Sequence, residues 1–262
     1  MLLMFAEMIP LHFAGPGQVA CLRELTGRDE YSVMGADTAN AIDLLTNLLL
    51  SPSHNQAPLR AADLVASDRD RLLAAVYKRT FGDQVEATLN CSRCDQPFDL
   101  NFSLDRVVES IKTGEQPVEW TTLTDGEFET ATGIKFRLPT GNDELATLGM
   151  EASEVESLLL SRSADGVALA GGPGAFEELL QQIAPLIDLE LVANCPDCGH
   201  VHNVQFDIQT YLLGAIVTER RRLLSDINCI ASAYSWSLDE VLSLSRTDRR
   251  LLVDLIENER VA

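Results

Sequence analysis

A chain of 262 residues, 46% hydrophobic, can hold one large domain or two small ones and has ample apolar content for a packed core. Its net charge of −20, with acids outnumbering Lys and Arg two to one, argues against a protein that lives on nucleic acid, because phosphate neutralisation supplies most of that affinity. The same charge disfavours an anionic membrane surface. Six cysteines, four of them in two Cys-x-x-Cys pairs, do not look like a secreted disulfide framework; they point to metal or redox chemistry in a reducing cytoplasm.

The first 14 residues, MLLMFAEMIPLHFA, are apolar but lack a basic leader, carry Glu7 and Pro10, and are too short to span a bilayer; they predict a buried first strand. VACLRELTGRDEYSV (19–33) reads as a strand, a turn at Gly27 and the start of a helix. Residues 37–50 have apolar positions at helical spacing behind an Asp37 cap, and SPSHNQAP is a loop. A clear helix follows at 67–82, with Ser67 as N-cap, Asp68 and Asp70 in its first turn, Lys78 and Arg79 in its last, and Gly82 as its stop.

The first cysteine pair lies in QVEATLNCSRCDQPFDLNFSL, which alternates like two short strands and leads into the short helix LDRVVESI. EFETAT and IKFRLP predict a hairpin turning at Gly133, and helical stretches follow at 142–161. SADGVALAGGPG (163–174) is a loop, FEELLQQIAPLI is helical, and the second cysteine pair comes next. One long helix is expected over about 208–233, then a capping box of Ser237 with Glu240, then a final amphipathic helix. Residues 113–190 carry 15 acids against 3 bases, whereas the chain from 208 onward has 8 acids against 7 arginines. The only basic run, Arg220, Arg221 and Arg222, reads first as a solvated helix face and second as a docking surface for an acidic partner.

The two cysteine stretches align. LNCSRCDQPFDLNFSL and ANCPDCGHVHNVQFDI share Asn90 with Asn194, Phe102 with Phe206, and Leu104 with Ile208, in the order strand, Cys-x-x-Cys turn, strand, helix. Two such hairpins face to face make a zinc ribbon. A structural zinc takes four ligands in a tetrahedron, so Cys91, Cys94, Cys195 and Cys198 are the expected set, although the pairs lie 104 residues apart. The alternatives are a site recruiting His200 in place of one cysteine, a redox dithiol, and knuckles held by packing without metal. His202 aligns with Phe98 and is expected on the inner strand face; Cys21 and Cys229 lie in apolar runs and read as buried thiols.

Enzymatic signatures do not emerge. There is no Gly-x-Ser-x-Gly, no His-Glu-x-x-His and no phosphate loop with a lysine, and GGPGAF lacks a basic residue. A zinc closed by four cysteines does not activate water. No catalytic residues, and no small-molecule substrate, are expected.

The stretches LRELTGRDE (22–30), SDRDRLLAAVYKRTFGD (67–83), NCSRCDQPFDLNFSL (90–104), IKFRLPTGNDE (134–144), NCPDCGHVHNVQFDI (194–208) and RRLLSDINCIASAYSWSLDEVLSLSRTDRR (221–250), taken together and in this order, resemble the T-even-phage-type baseplate hub assembly chaperones of contractile phage tails and phage-tail-like contractile injection systems. Family members commonly have glycine where this chain has Ser235, and a proline near Arg246 that this chain lacks. The resemblance implies a non-enzymatic assembly factor in the cytoplasm of a bacterium or phage-infected cell. Its partners would be other tail and baseplate hub proteins, with no nucleic acid and no membrane. A permanent baseplate subunit is the alternative, and a zinc-ribbon regulator of nucleic acid a more distant one.

The expected fold is α+β and mainly helical, with a split zinc-ribbon-like pair of Cys-x-x-Cys β-hairpins, an inserted β-hairpin and a helical C-terminal region. Its units are an N-terminal strand and helix region (1–83), the split ribbon with its acidic insertion (84–208, inserted about 105–190), and the C-terminal helices (209–262).

Overall fold

Strand alternation around the cysteines and helical periodicity elsewhere give an α+β architecture, seen here in a computed structural model that describes residues 7–14, 17–51, 58–113, 119–123, 126–163 and 173–261. In chain order the elements are β1 (Glu7–Pro10), β2 (Val19–Leu22), α1 (Gly27–Ser32), α2 (Thr38–Leu48), β3 (Leu49–Leu50), α3 (Ala66–Phe81), β4 (Gln84–Asn90) and β5 (Pro97–Ser103). They continue with α4 (Leu104–Thr113), β6 (Trp120–Thr122), β7 (Glu127–Thr130), β8 (Lys135–Arg137), α5 (Gly141–Ala146), α6 (Ala152–Ser163) and α7 (Pro173–Ile183). Last come β9 (Asp188–Asn194), β10 (Val201–Asp207), α8 (Ile208–Tyr234), α9 (Leu238–Leu242) and α10 (Arg246–Val261). The sheets are small and antiparallel, in the orders β1-β2-β3, β4-β5, β6-β7-β8 and β9-β10.

Helices α2, α3 and the first half of α8 build the main core. The Asp37 side chain accepts from the Asn40 amide at 3.0 Å, so α2 starts where its cap dictates and buries Ile42, Leu44, Leu45 and Leu48. Leu72, Leu73 and Val76 of α3 join Leu212, Leu213 and Ile216 of α8, and each such buried side chain contributes about 1.5–3 kcal/mol relative to exposure. Phe128, Phe136, Leu138 and Ile183 form a second cluster under the inserted sheet. The far half of α8 closes a third with α9 and α10, through Leu223, Ile227, Ile230, Val241, Leu242 and Ile256.

Several local expectations change. The N-terminal strand forms as β1, but it lies largely exposed rather than buried, and residues 1–6 fall outside the described residues. So do most of the loop SPSHNQAP and most of 163–174. Gly27 is the first residue of α1, not a turn. Helix α3 begins one residue before Ser67: Val65 sits at its N-cap, and the buried Ser67 hydroxyl has no hydrogen-bond partner among the described residues. Asp68 uses its carboxylate to hold the His12 and Phe13 amides, at 2.9 and 3.0 Å. Gly82 does end α3, with φ 94° and its amide on the Lys78 carbonyl. The inserted hairpin turning at Gly133 gains a third strand, β6. Cys21 is buried and Cys229 half-buried. The basic run divides: Arg220 donates to the Tyr31 and Val33 carbonyls and lies 4.6 Å over the Tyr31 ring, while Arg221 and Arg222 are exposed.

Two similar hooks lock the helices together. In Thr26-Gly27-Arg28-Asp29-Glu30, Asp29 accepts from the Thr26 amide and hydroxyl and takes a bidentate Arg23 at 2.7 and 2.8 Å. Thr140-Gly141-Asn142-Asp143-Glu144 repeats this with Asp143, Thr140 and Arg137. Each hook then sets its glutamate on a buried arginine. Glu30 meets Arg249 at 2.7 Å and Glu144 meets Arg69 at 2.6 Å, next to bridges joining Thr26 with Ser245 and Thr140 with Val65.

Candidate metal centre

Both cysteine turns are built the same way. Strands β4 and β5 pair from Gln84 with Ser103 to Asn90 with Pro97; β9 and β10 pair from Asp188 with Asp207 to Asn194 with Val201. Beyond the last pair, the Cys91 amide donates to the Gln96 carbonyl and the Cys195 amide to the His200 carbonyl, both at 2.9 Å. The chain turns back through left-handed residues, Asp95 (φ 58°) and Gly199 (φ 69°), whose amides donate to the Cys91 and Cys195 carbonyls. Two residues between the cysteines thus place both thiols on the inside of one tight turn.

The two hairpins then face each other. Phe102 and Phe206, equivalent in the two hairpins, meet edge to face at 4.9 Å, and the equivalent pair Phe98 and His202 meet at 5.2 Å. Their tips bring Cys91, Cys94, Cys195 and Cys198 together, with all four sulfurs within 4.8 Å of one another. The closest separations repeat across the pair: Cys91 Sγ to Cys198 Sγ is 3.6 Å and Cys94 Sγ to Cys195 Sγ is 3.7 Å. Thiolates around one zinc at about 2.3 Å stand about 3.75 Å apart in a tetrahedron, so the spacing fits a single ion and this cluster could hold one. Cys91 and Cys195 are buried, Cys94 and Cys198 half-buried.

Electrostatics within the quartet also favour a cation. Burial pushes the Cys91 thiol up, but the Cys94 and Arg93 amides and the His202 ring outweigh it and bring it down to about 5. For Cys94 the Gln96 amide favours ionisation, yet burial and the sulfurs of Cys91, Cys198 and Cys195 push it up to about 12. Cys198 is pushed up as well; the His200 amide favours its thiolate, but burial and the Cys91 and Cys195 sulfurs oppose it. One thiolate therefore forms readily and opposes its neighbours, an opposition a positive ion removes.

Sequence reasoning placed His202 on the inner strand face, where it packs on Phe98, but missed that its Nε2 reaches Cys91 Sγ at 3.3 Å. The alignment of His202 with Phe98 held the signal, since the Phe98 position borders the cysteines. His200 stacks edge to face on His202 at 4.8 Å, and the sulfur cluster forms without it.

Among known proteins, a family model described as "T4 bacteriophage base plate protein" matches residues 13–172. That span includes the first cysteine pair, the second hook and its partner Arg69; the second cysteine pair lies beyond it. No curated protein and no solved structure matches the chain. Among the described residues no helix is long and apolar enough to cross a membrane.

Proposed function

This chain belongs to the T4 bacteriophage base plate protein family, and from that premise we propose that it is a non-enzymatic, chaperone-like assembly factor of the baseplate hub, stapled by a structural zinc ion. The family gives it a role in the baseplate of a phage tail and partners among other baseplate or tail proteins. The observation that carries the zinc reading is the meeting of four sulfurs, from pairs 104 residues apart, at the separations of a tetrahedral thiolate site. Cys91, Cys94, Cys195 and Cys198 would hold the ion, and bound there it supplies a cross-link between two hairpins rather than an open coordination position. Soft sulfur donors suit zinc, whereas the harder cations magnesium and calcium prefer oxygen.

Affinity purification of the tagged chain from cells assembling contractile tails tests the role. The expected result is recovery of hub or baseplate proteins with the chain, and absence of the chain from finished particles. Stoichiometric presence in purified particles would instead favour a permanent baseplate subunit, which the family's description also suits. Recovery of no tail protein overturns both. Elemental analysis of the purified chain is expected to give one zinc per molecule, reduced in both Cys91→Ser and Cys195→Ser.

A further inference from the structure

An open groove of about 1040 Å³ lies between α3, β4, the β9–β10 hairpin and α8, away from the cysteine tips. Aromatic rings line its base in a continuous row: Phe81 meets Tyr77 at 5.3 Å, Tyr77 meets Tyr211 at 5.5 Å, and Tyr211 meets Phe206 at 5.4 Å. Both tyrosine hydroxyls are fixed, donating to the Gln84 and Glu86 carbonyls of β4. On the α8 side, Gly214 and Ala215 keep the wall low, which leaves room for an incoming backbone.

The rim has one sign of charge. Glu86, Asp188, Asp207 and Glu219 line the groove, and among the described lining residues there is no lysine or arginine. At one end the molecule itself shows how such a surface is used. Arg246 lies 4.7 Å over the Phe81 ring while pairing with Glu219 at 2.8 Å, a guanidinium stacked on an aromatic face and held by a carboxylate. Of the rest of the row, Tyr77 and Phe206 are buried, so half-buried Tyr211 is the face left open. Glu86, Asp188 and Asp207 line the groove with it; Asp188 accepts from the Gln205 side-chain amide and Asp207 caps α8, but among the described residues no ion pair engages any of the three.

We propose that this groove docks an arginine-bearing segment of a partner protein, with a guanidinium stacked on Tyr211 and paired with Glu86 or Asp188. The proposal rests on the assembly role only for the setting in which such a partner is met. Arginine fits better than lysine because a planar guanidinium can stack and form paired hydrogen bonds at once, whereas an ammonium is a compact, strongly hydrated charge.

Fluorescence anisotropy with a labelled arginine–serine peptide of roughly ten residues, against its lysine–serine counterpart, tests it at near-physiological salt. The full chain is expected to bind the arginine peptide at least about fivefold more tightly. Glu86→Gln with Asp188→Asn is expected to weaken it by about tenfold, and Thr218→Arg, which places a guanidinium in the groove in cis, by a similar factor. Glu127→Gln with Glu257→Gln makes the same change in net charge elsewhere and should leave binding within about twofold. Equal loss in that control, or no discrimination between the peptides, would show attraction to the −20 charge alone and overturn the proposal. The groove variants should keep their zinc and also lose tail-protein recovery. If they lose peptide binding yet recover tail proteins as before, the groove is not the partner's docking site and the assembly role stands. If the unaltered chain recovers none, the assembly role fails while the peptide comparison still decides the groove.

Discussion

Asp95 and Gly199 occupy the same point of two equivalent turns, both with positive φ, and only one of them is glycine. Left-handed backbone costs an ordinary L-residue about 1–2 kcal/mol and less for Asp, whose short side chain tolerates it. An added Cβ at Gly199 meets nothing within 4 Å, so Gly199→Ala should lose about 1 kcal/mol in urea unfolding through backbone strain alone. An unchanged midpoint would show that the turn relaxes. His202 gives a complementary case: His202→Ala should cost packing on Phe98 but leave metal content unchanged, because the cluster is complete in its four sulfurs. Asp70 carries the pH dependence. Burial outweighs the Ile187 amide that it accepts at 2.9 Å and pushes its pKa from 3.8 to about 7. Below the unfolded value both states hold the proton and nothing is lost. As pH rises towards 7 the unfolded chain ionises while the folded one does not, so this group's contribution to stability falls, by at most about 4 kcal/mol. Asp143 works in the opposite sense: burial opposes its ionisation, but Arg137, Thr140 and Arg162 overcome it, so its contribution is present above the unfolded value and is lost in acid. Asp70→Asn retains an acceptor for Ile187. Its advantage over the unaltered chain should be near zero at about pH 3.5 and grow through pH 7; an advantage independent of pH would refute the assignment.

At the scale of elements, the two hooks explain why short helices such as α1 and α5 sit where they do. Six residues of α1 cannot hold a helix unaided, since nucleation is costly; the Thr26–Asp29 box, Arg23 and the Glu30–Arg249 pair supply what is missing. Arg249 is 1% exposed and Glu30 4%, so removing one partner strands a buried charge. Glu30→Gln is therefore expected to cost about 3–5 kcal/mol, and adding Arg249→Met should recover a good part of that loss. A double variant as unstable as the sum of the two single ones would show that the residues act independently. The glycines of the hooks are fixed by close approach: a Cβ on Gly27 would lie 2.7 Å from Arg249 Nη1, and one on Gly141 2.8 Å from Ile42 Cδ1. Of all this, little was legible beforehand. The cysteine hairpins were readable because their spacing and two-residue alternation are local, and α2 and α8 because a cap or a long apolar period marks them. Each hook is a six-residue phrase whose partner arginine lies 75 or 219 positions away, so LTGRDE reads as a turn at Gly27 and PTGNDE as the approach to the helical stretch from 142. Ser67 looked like a cap for the same reason, because only the docked hook shows that Val65 ends the preceding segment and pairs with Thr140.

For the molecule as a whole, the proposed ion links Cys91 to Cys195 and so closes a loop of 104 residues that contains the entire acidic insertion. The hairpin tips have little else to hold them. Apart from the cysteines, the buried members of their cluster are Phe98 and Ala193, far fewer than in the main core. By the chain-entropy argument used for covalent cross-links, tying residues about 100 apart stabilises the folded state by about 4–5 kcal/mol, mainly by restricting the unfolded chain. For a protein of this size that corresponds to a fall in melting temperature of roughly 10–20 °C when the link is removed. A zinc chelator should thus lower the melting temperature of the unaltered chain to that of Cys195→Ser, and should leave Cys195→Ser itself unmoved. Cys91→Ser, from the other half of the cluster, should melt at the same point, because a cross-link is lost whichever end is cut. A chelator effect that persists in Cys195→Ser but vanishes in Cys91→Ser would assign the ion to the first turn alone, and the two hairpins would then be joined by Phe98, Phe102 and their partners rather than by metal.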